Sequence, residues 1–275
     1  MTDSWRLKLQ RAEKHMIDID FAAQSYRDSH PYKLEKIIHR RRQPASWGYR
    51  VRMTEQPDET VALVLGDFIH NLRSSLDHVV HACVPARNRS QAAFPVEFSD
   101  PWKRAGRKYE IRDAEVRKRF MRQVRGIDPE AETLIEWLQP YNRAKPDTAT
   151  IGLLSRLDNA DKHRRLIVTG TGLESFIITR TFPDGSIVRE ESPRDRTHYE
   201  DGAEVYRVDD LAEWLRGYSE SEVKVECSAS AEVSIEIAGD GRKSSRQYFH
   251  LGDIMSVTFT EVSNVLELLE PYRRP

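Results

Sequence analysis

The chain has 275 residues, of which 39% are hydrophobic and 32% charged, with a formal net charge of −1 at pH 7. That is too much apolar material for a disordered chain and enough for a buried core, and no window approaches the ~18 consecutive apolar residues of a membrane span. The first residues, MTDSWRLKLQRAEKH, hold no continuous apolar segment, so neither a signal peptide nor a membrane anchor is expected and the expected location is cytoplasmic.

Residues 4 to 28 pattern as an amphipathic helix, and KLEKIIHRRR and WGYRVRMTE then alternate as two strands around the turn-forming QPAS. Pro57 and Asp58 open a second helix that runs to Cys83. After Pro85, QAAFPVEFSDPW reads as a loop or short strand, followed by helices at 112–124, 129–138 and 148–163. From Arg165 the period becomes two, in RLIVTGTG, ESFIITRTF, SIVREE, AEVYRV, EVKVECSASAEVSIEIAG and YFHLGDIMSVTF, with PDG and GDG as turns. A short helix at 211–218 interrupts the strands and a last helix at 257–270 closes the chain. The expected class is α+β: a mainly helical part with an inserted hairpin over 1–167, then an antiparallel β-rich part with a C-terminal helix over 168–275.

The charge divides the same way. Residues 1–170 hold 31 Lys and Arg against 23 Asp and Glu, a balance of +8, and residues 171–275 hold 12 against 21, a balance of −9. A basic half that meets a polyanion and two halves that attract each other both fit. Cys83 and Cys227 lie far apart in apolar patterns, which suits buried free thiols better than a disulfide or zinc site.

The second helix carries the most informative stretch, GDFIHNLRSSLDHVVHAC from Gly66 to Cys83. At ~100° per residue Phe68, Ile69, Leu72, Leu76, Val79, Val80 and Cys83 fall in one arc, with His70, Asn71, Arg73, Ser74, Asp77, His78 and His81 opposite. Lys and Glu are what solubility alone would select; His, Asn and Arg suit proton transfer, metal ligation or phosphate contact. A second polar cluster, Asp158, Asn159, Asp161, Lys162, His163 and Arg164, ends the helix of LSRLDNADKHRRLIV. It suits an anion or completion of the first cluster, and equally a solvated helix C-terminus.

Arg73 followed after four residues by His78 resembles the Arg-x4-His signature of the HEPN superfamily, helical bundles that are often metal-independent RNases of toxin–antitoxin and phage-defence systems. Together, HNLRSSLDH and DNADKHRRL also resemble segments of a group of uncharacterised bacterial proteins carrying HNLRSALDH-like and NxDKHR-like motifs. The resemblance implies an RNA substrate and a ribonuclease site without cofactor. His78 would be its acid or base, Arg73 its phosphate holder, Asp77 a carboxylate that orients a histidine and Asn71 a further donor. His70, His81, Asn159, Lys162, His163 and Arg164 would then line the substrate site. Arg73 and His78 diverge by ~140° around the helix, which superfamily members resolve by dimerising, so a homodimer is implied. Ser74 follows the arginine where active members often carry Asn, Asp or His.

Two other readings stay open on the same residues. His70, Asp77 and His81, joined by His163, offer ligands for a divalent metal, although His70 and His81 are ~16 Å apart along the axis and only His78 and His81 are spaced to share an ion. Alternatively the cluster is a buried hydrogen-bond network, and the protein a non-catalytic binding or regulatory module acting through its β half. The run Arg107–Arg125, with eight cations against three acids, and the HRRR of residues 39–42 would track a phosphate backbone or simply face solvent. No GxxxxGK[ST], GxGxxG, HExxH or GxSxG occurs, so nucleotide hydrolysis, dinucleotide redox chemistry, zinc proteolysis and the hydrolase nucleophile elbow have no support.

Overall fold

A computed structural model describes residues 3–39, 46–100, 111–162, 167–191, 201–237 and 247–274. It is a mixed structure of seven α-helices and seven strands among the described residues, all the strand pairings being antiparallel. The elements run α1 (Ser4–Asp28), β1 (Tyr32–His39), β2 (Ser46–Met53), α2 (Glu59–Cys83), a 3₁₀ turn (Ala86–Gln91), α3 (Ile111–Gln123), α4 (Pro129–Trp137) and α5 (Thr150–Lys162). They continue with β3 (Ile167–Thr181), β4 (Ile187–Glu191), β5 (Glu204–Val208), α6 (Leu211–Trp214), β6 (Lys224–Ile237), β7 (Gln247–His250) and α7 (Leu251–Leu269). Residues 43–45 of the QPAS turn, the GDG turn and the HRRR cations after His39 lie outside the described residues.

The chain forms two compact units interleaved in sequence. One comprises residues 1–20, 62–166 and 252–275; the other comprises 21–61 and 167–251. The hairpin that chain order groups with the helices therefore belongs to the second unit, and the closing helix α7 belongs to the first.

In the helical unit α2 carries the first motif on a helix with one long buried face. The Asp58 carboxylate accepts the Thr60 amide at 2.7 Å and caps its start. Phe68, Ile69, Leu72, Leu76, Val79, Val80 and Cys83 are each at most 1% exposed, so the apolar arc read from the sequence is the buried face. Fully burying side chains of this size is worth ~1.5–3 kcal/mol each, and the row fixes the rotation of α2 and hence where its polar residues point. Helix α4 begins with Asp128 capping the Glu130 amide at 2.9 Å ahead of Pro129. The segment between the 3₁₀ turn and α3 is held by buried polar pairs: the Gln139 side-chain carbonyl takes the Glu97 amide at 2.9 Å, and Arg119 grips the buried Glu97 carboxylate with two nitrogens.

Residues 251–259, expected to continue a strand, are the first turns of α7. Leu251, Ile254, Met255, Thr258, Val262, Val265, Leu266 and Leu269 are all buried and recur at helical spacing. The short alternation in YFHLGDIMSVTF is real only over the four residues of β7.

The sheet unit holds a three-stranded sheet, β1-β2-β5, and a four-stranded sheet, β4-β3-β6-β7. Its core gathers Trp47, Val51, Phe176, Ile178, Phe182, Val205, Val208 and Trp214, with Trp47 and Trp214 edge to face at 4.8 Å. The two stretches RLIVTGTG and ESFIITRTF form one long strand, β3, with register shifts at 169/172 and 173/175. Arg180 is buried here, its guanidinium donating to the Trp214 carbonyl and the Glu190 carboxylate, which also accepts the Tyr206 hydroxyl. Among the described residues no helix is long and apolar enough to cross a membrane.

Candidate functional site

Both sequence motifs lie in the helical unit, on α2 and α5, and they meet. Gly66 marks their approach: a Cβ there would sit 2.5 Å from an Asp161 carboxylate oxygen and 2.8 Å from its Cγ, so a larger residue would force the α5 side chain to shift. One turn further along α2, His70 Nδ1 is 3.3 Å from Oδ1 of Asp158. A carboxylate only accepts, so Nδ1 carries the proton and Nε2 is free to accept one. The Ser74 hydroxyl lies 3.4 Å from that Nε2, and Lys162 Nζ holds the second Asp158 oxygen at 2.5 Å.

Exposure divides this cluster usefully. The Asp158 side chain is 4% exposed, whereas His70 and Lys162 are each 53% exposed, so a sheltered carboxylate orients groups that reach solvent. Asp161 has its pKa raised by burial, with the negative charges of Asp158 and Asp67 adding to the effect. Asn159 is exposed, while His163 and Arg164 lie outside the described residues.

The remaining predicted site residues do not gather with His70. Arg73 is 15% exposed in its side chain; it donates to the Phe94 carbonyl at 2.7 Å and pairs with Asp77 at 2.9 Å. Asp77 in turn accepts the Phe94 amide at 2.9 Å, so its hydrogen-bond partners are a guanidinium and a backbone N–H instead of the histidine expected of it. Burial raises the Asp77 pKa against the lowering effects of Arg73 and the Phe94 amide. Asn71 is buried and donates to the Asp67 carbonyl one turn back at 2.7 Å, a contact internal to α2. His78 is half-buried, with its Nδ1 enclosed and unpartnered among the described residues; burial, then Lys8, holds its pKa below 6.5. His81 is exposed one turn beyond.

The chain matches no protein-family model, no curated protein and no solved structure.

For a metal, the expected His70, Asp77 and His81 do not converge, and no group of three His, Cys, Asp or Glu side chains among the described residues is arranged to hold an ion. The thiols offer no chemistry either. Burial pushes Cys83 up to about 11 and also raises Cys227. A cleft of about 670 Å³ in the same unit, lined by Trp137, Arg143, Lys145, Thr150, Glu261 and Leu268 among others, includes none of the motif residues.

The residues that sequence reasoning passed over are Asp158 as a partner for His70, and Gly66. Gly66 carried a signal, since a lone glycine inside an apolar helix marks a close approach, whereas Asp158 stood in the second polar cluster with no local sign of which histidine it meets.

Proposed function

We propose that the helical unit carries a metal-independent acid–base site for RNA cleavage, centred on His70 rather than on the Arg73 and His78 pair. The observation that supports this is the ordered relay of Ser74, His70 and Asp158, at 3.4 and 3.3 Å, with the imidazole at the surface and the carboxylate beneath it. An imidazole held in the Nδ1–H tautomer by the buried carboxylate turns Nε2 outward as a proton acceptor, the position a general base needs. In this reading Nε2 takes the proton from a ribose 2′-hydroxyl, the 2′-oxygen bonds to phosphorus to close a 2′,3′-cyclic phosphate, the phosphorus to 5′-oxygen bond breaks as water protonates the leaving oxygen, and the imidazolium returns its proton to solvent. Lys162 places a positive charge beside the phosphate as negative charge grows on it. Residues 62–166 of the helical unit, with 19 Lys and Arg against 14 Asp and Glu, carry a balance of +5, which suits a polyanionic substrate.

A serine nucleophile fits less well. Ser74 sits in mid-helix, where the surrounding amides are engaged in the α2 ladder, so no pair of free N–H groups is available for the oxyanion of an acyl transfer.

The test is cleavage of a labelled RNA pool in EDTA by wild type and by His70→Ala, Asp158→Asn and His78→Ala, each checked by circular dichroism. Cleavage that falls at least ~100-fold in His70→Ala but persists in His78→Ala is the expected result. Absence of wild-type cleavage, or an unaffected His70→Ala enzyme, overturns the assignment.

A second reading, a non-catalytic binding module, is favoured by one observation: Arg73 and Asp77 grip both backbone groups of Phe94, as a structural network would. It predicts no cleavage by any form.

A further inference from the structure

The turn that follows α3 closes at Gly126, whose φ of +76° is strained for a residue with a side chain. A Cβ at Gly126 would lie 3.0 Å from the Asn88 amide nitrogen and 3.2 Å from the Pro85 ring, so the glycine also admits the 3₁₀ turn of residues 86–91 against the end of α3. Asn88 secures the junction by donating to the Arg125 carbonyl at 2.7 Å. The consequence is a small polar recess of about 90 Å³ lined by Arg87, Asn88, Ser90, Gln91, Arg122 and Arg125.

Three arginines line this recess, and no acid among the described residues does. Cations near a helix C-terminus are ordinarily explained by the helix dipole, and that accounts for Arg122 and Arg125. Arg87 has no such explanation: it comes from a different element, brought there by the Gly126 and Asn88 junction. Like charges held together without a counter-charge repel unless an anion shares them, and at ~30 Å³ per water the recess has room for about three waters or one tetrahedral oxyanion. Guanidinium forks match phosphoryl oxygens two at a time, and the Ser90 hydroxyl and Asn88 and Gln91 amides add neutral donors.

We propose that Arg87, Arg122 and Arg125 form a phosphate-binding site. It does not depend on the His70 assignment, because it requires no chemistry at α2. The phosphoryl group belongs either to a nucleic-acid backbone or to a free phosphate compound, and the recognition is the same in both.

The experiment uses the full chain with two probes: inorganic phosphate followed by calorimetry at ionic strength balanced with chloride, and a ten-nucleotide single-stranded RNA followed by fluorescence anisotropy. Arg122→Gln and Arg125→Gln, both at exposed positions, are compared with wild type and with Arg143→Gln, whose guanidinium stacks on Trp137 at 4.6 Å away from the recess. Saturable binding of either probe, weakened at least tenfold by each recess variant and unchanged by Arg143→Gln, supports the site. Phosphate without RNA identifies a free phosphoryl ligand. RNA bound more tightly than phosphate, with a salt slope reduced by about 0.7 per arginine removed, identifies the backbone. Failure of wild type to bind either probe, or equal binding by the recess variants, overturns the proposal.

Discussion

Arg73 donates to the carbonyl of Phe94 at 2.7 Å, and the carboxylate paired with that arginine, Asp77, takes the amide of the same phenylalanine. Two charged side chains one helical turn apart thus act on one residue as a neighbouring strand would. Phe94 is itself fully buried, so this grip anchors an irregular segment that has no backbone partner of its own at that point.

Removing either member should therefore reduce stability. Asp77→Ala strands both the Phe94 amide and the arginine, and a loss of about 2–3 kcal/mol is expected; Arg73→Met should lose about 1–3 kcal/mol. Urea denaturation is the measurement, read as a lowered midpoint at unchanged slope. A shift below ~0.5 kcal/mol in both variants would show that the grip is incidental.

Gly66 and Asp161 should be energetically coupled. Glycine to alanine inside a helix ordinarily gains about 1 kcal/mol, but at Gly66 the new methyl meets the Asp161 carboxylate. Gly66→Ala is expected to be destabilising in wild type and neutral or stabilising in an Asp161→Ala background, with a coupling of at least ~1 kcal/mol in the double-mutant cycle. Additive effects would refute the contact.

The depressed pKa of His78 predicts a particular pH dependence. Because the folded state binds the proton less readily than the unfolded chain, the contribution of His78 is complete above 6.5 and is lost as pH falls from there through the lower folded value. Wild type should lose stability between pH 7 and 5, and His78→Asn should lose measurably less over the same interval. Superimposable curves for the two proteins would sink this assignment.

The buried stripe of α2 was legible because seven apolar residues recur at a single period, and most helix limits follow from the same signal with Pro and Asp at their starts. The meeting of His70 with Asp158 was not, since 88 residues separate them and no local pattern encodes which α5 residue faces which turn of α2. The role of Arg73 was hidden for a similar reason: its partner is the backbone of Phe94, in a segment without periodicity. The strand expected over 251–259 failed because a four-residue alternation preceded a helix whose own period shows only when Leu251 is followed through to Leu269.

The interleaving of the two units has a practical corollary for anyone cutting the gene. No single contiguous stretch encodes either unit, and the obvious truncation after residue 167 would keep the histidine helix while discarding α7 with its buried Val262, Leu266 and Leu269. The same cut would leave β1 and β2 without β5, their remaining sheet partner. Isolating the helical unit calls for a redesigned chain in which residues 252–275 are spliced onto the end of α5, with residues 21–61 replaced by a short connector.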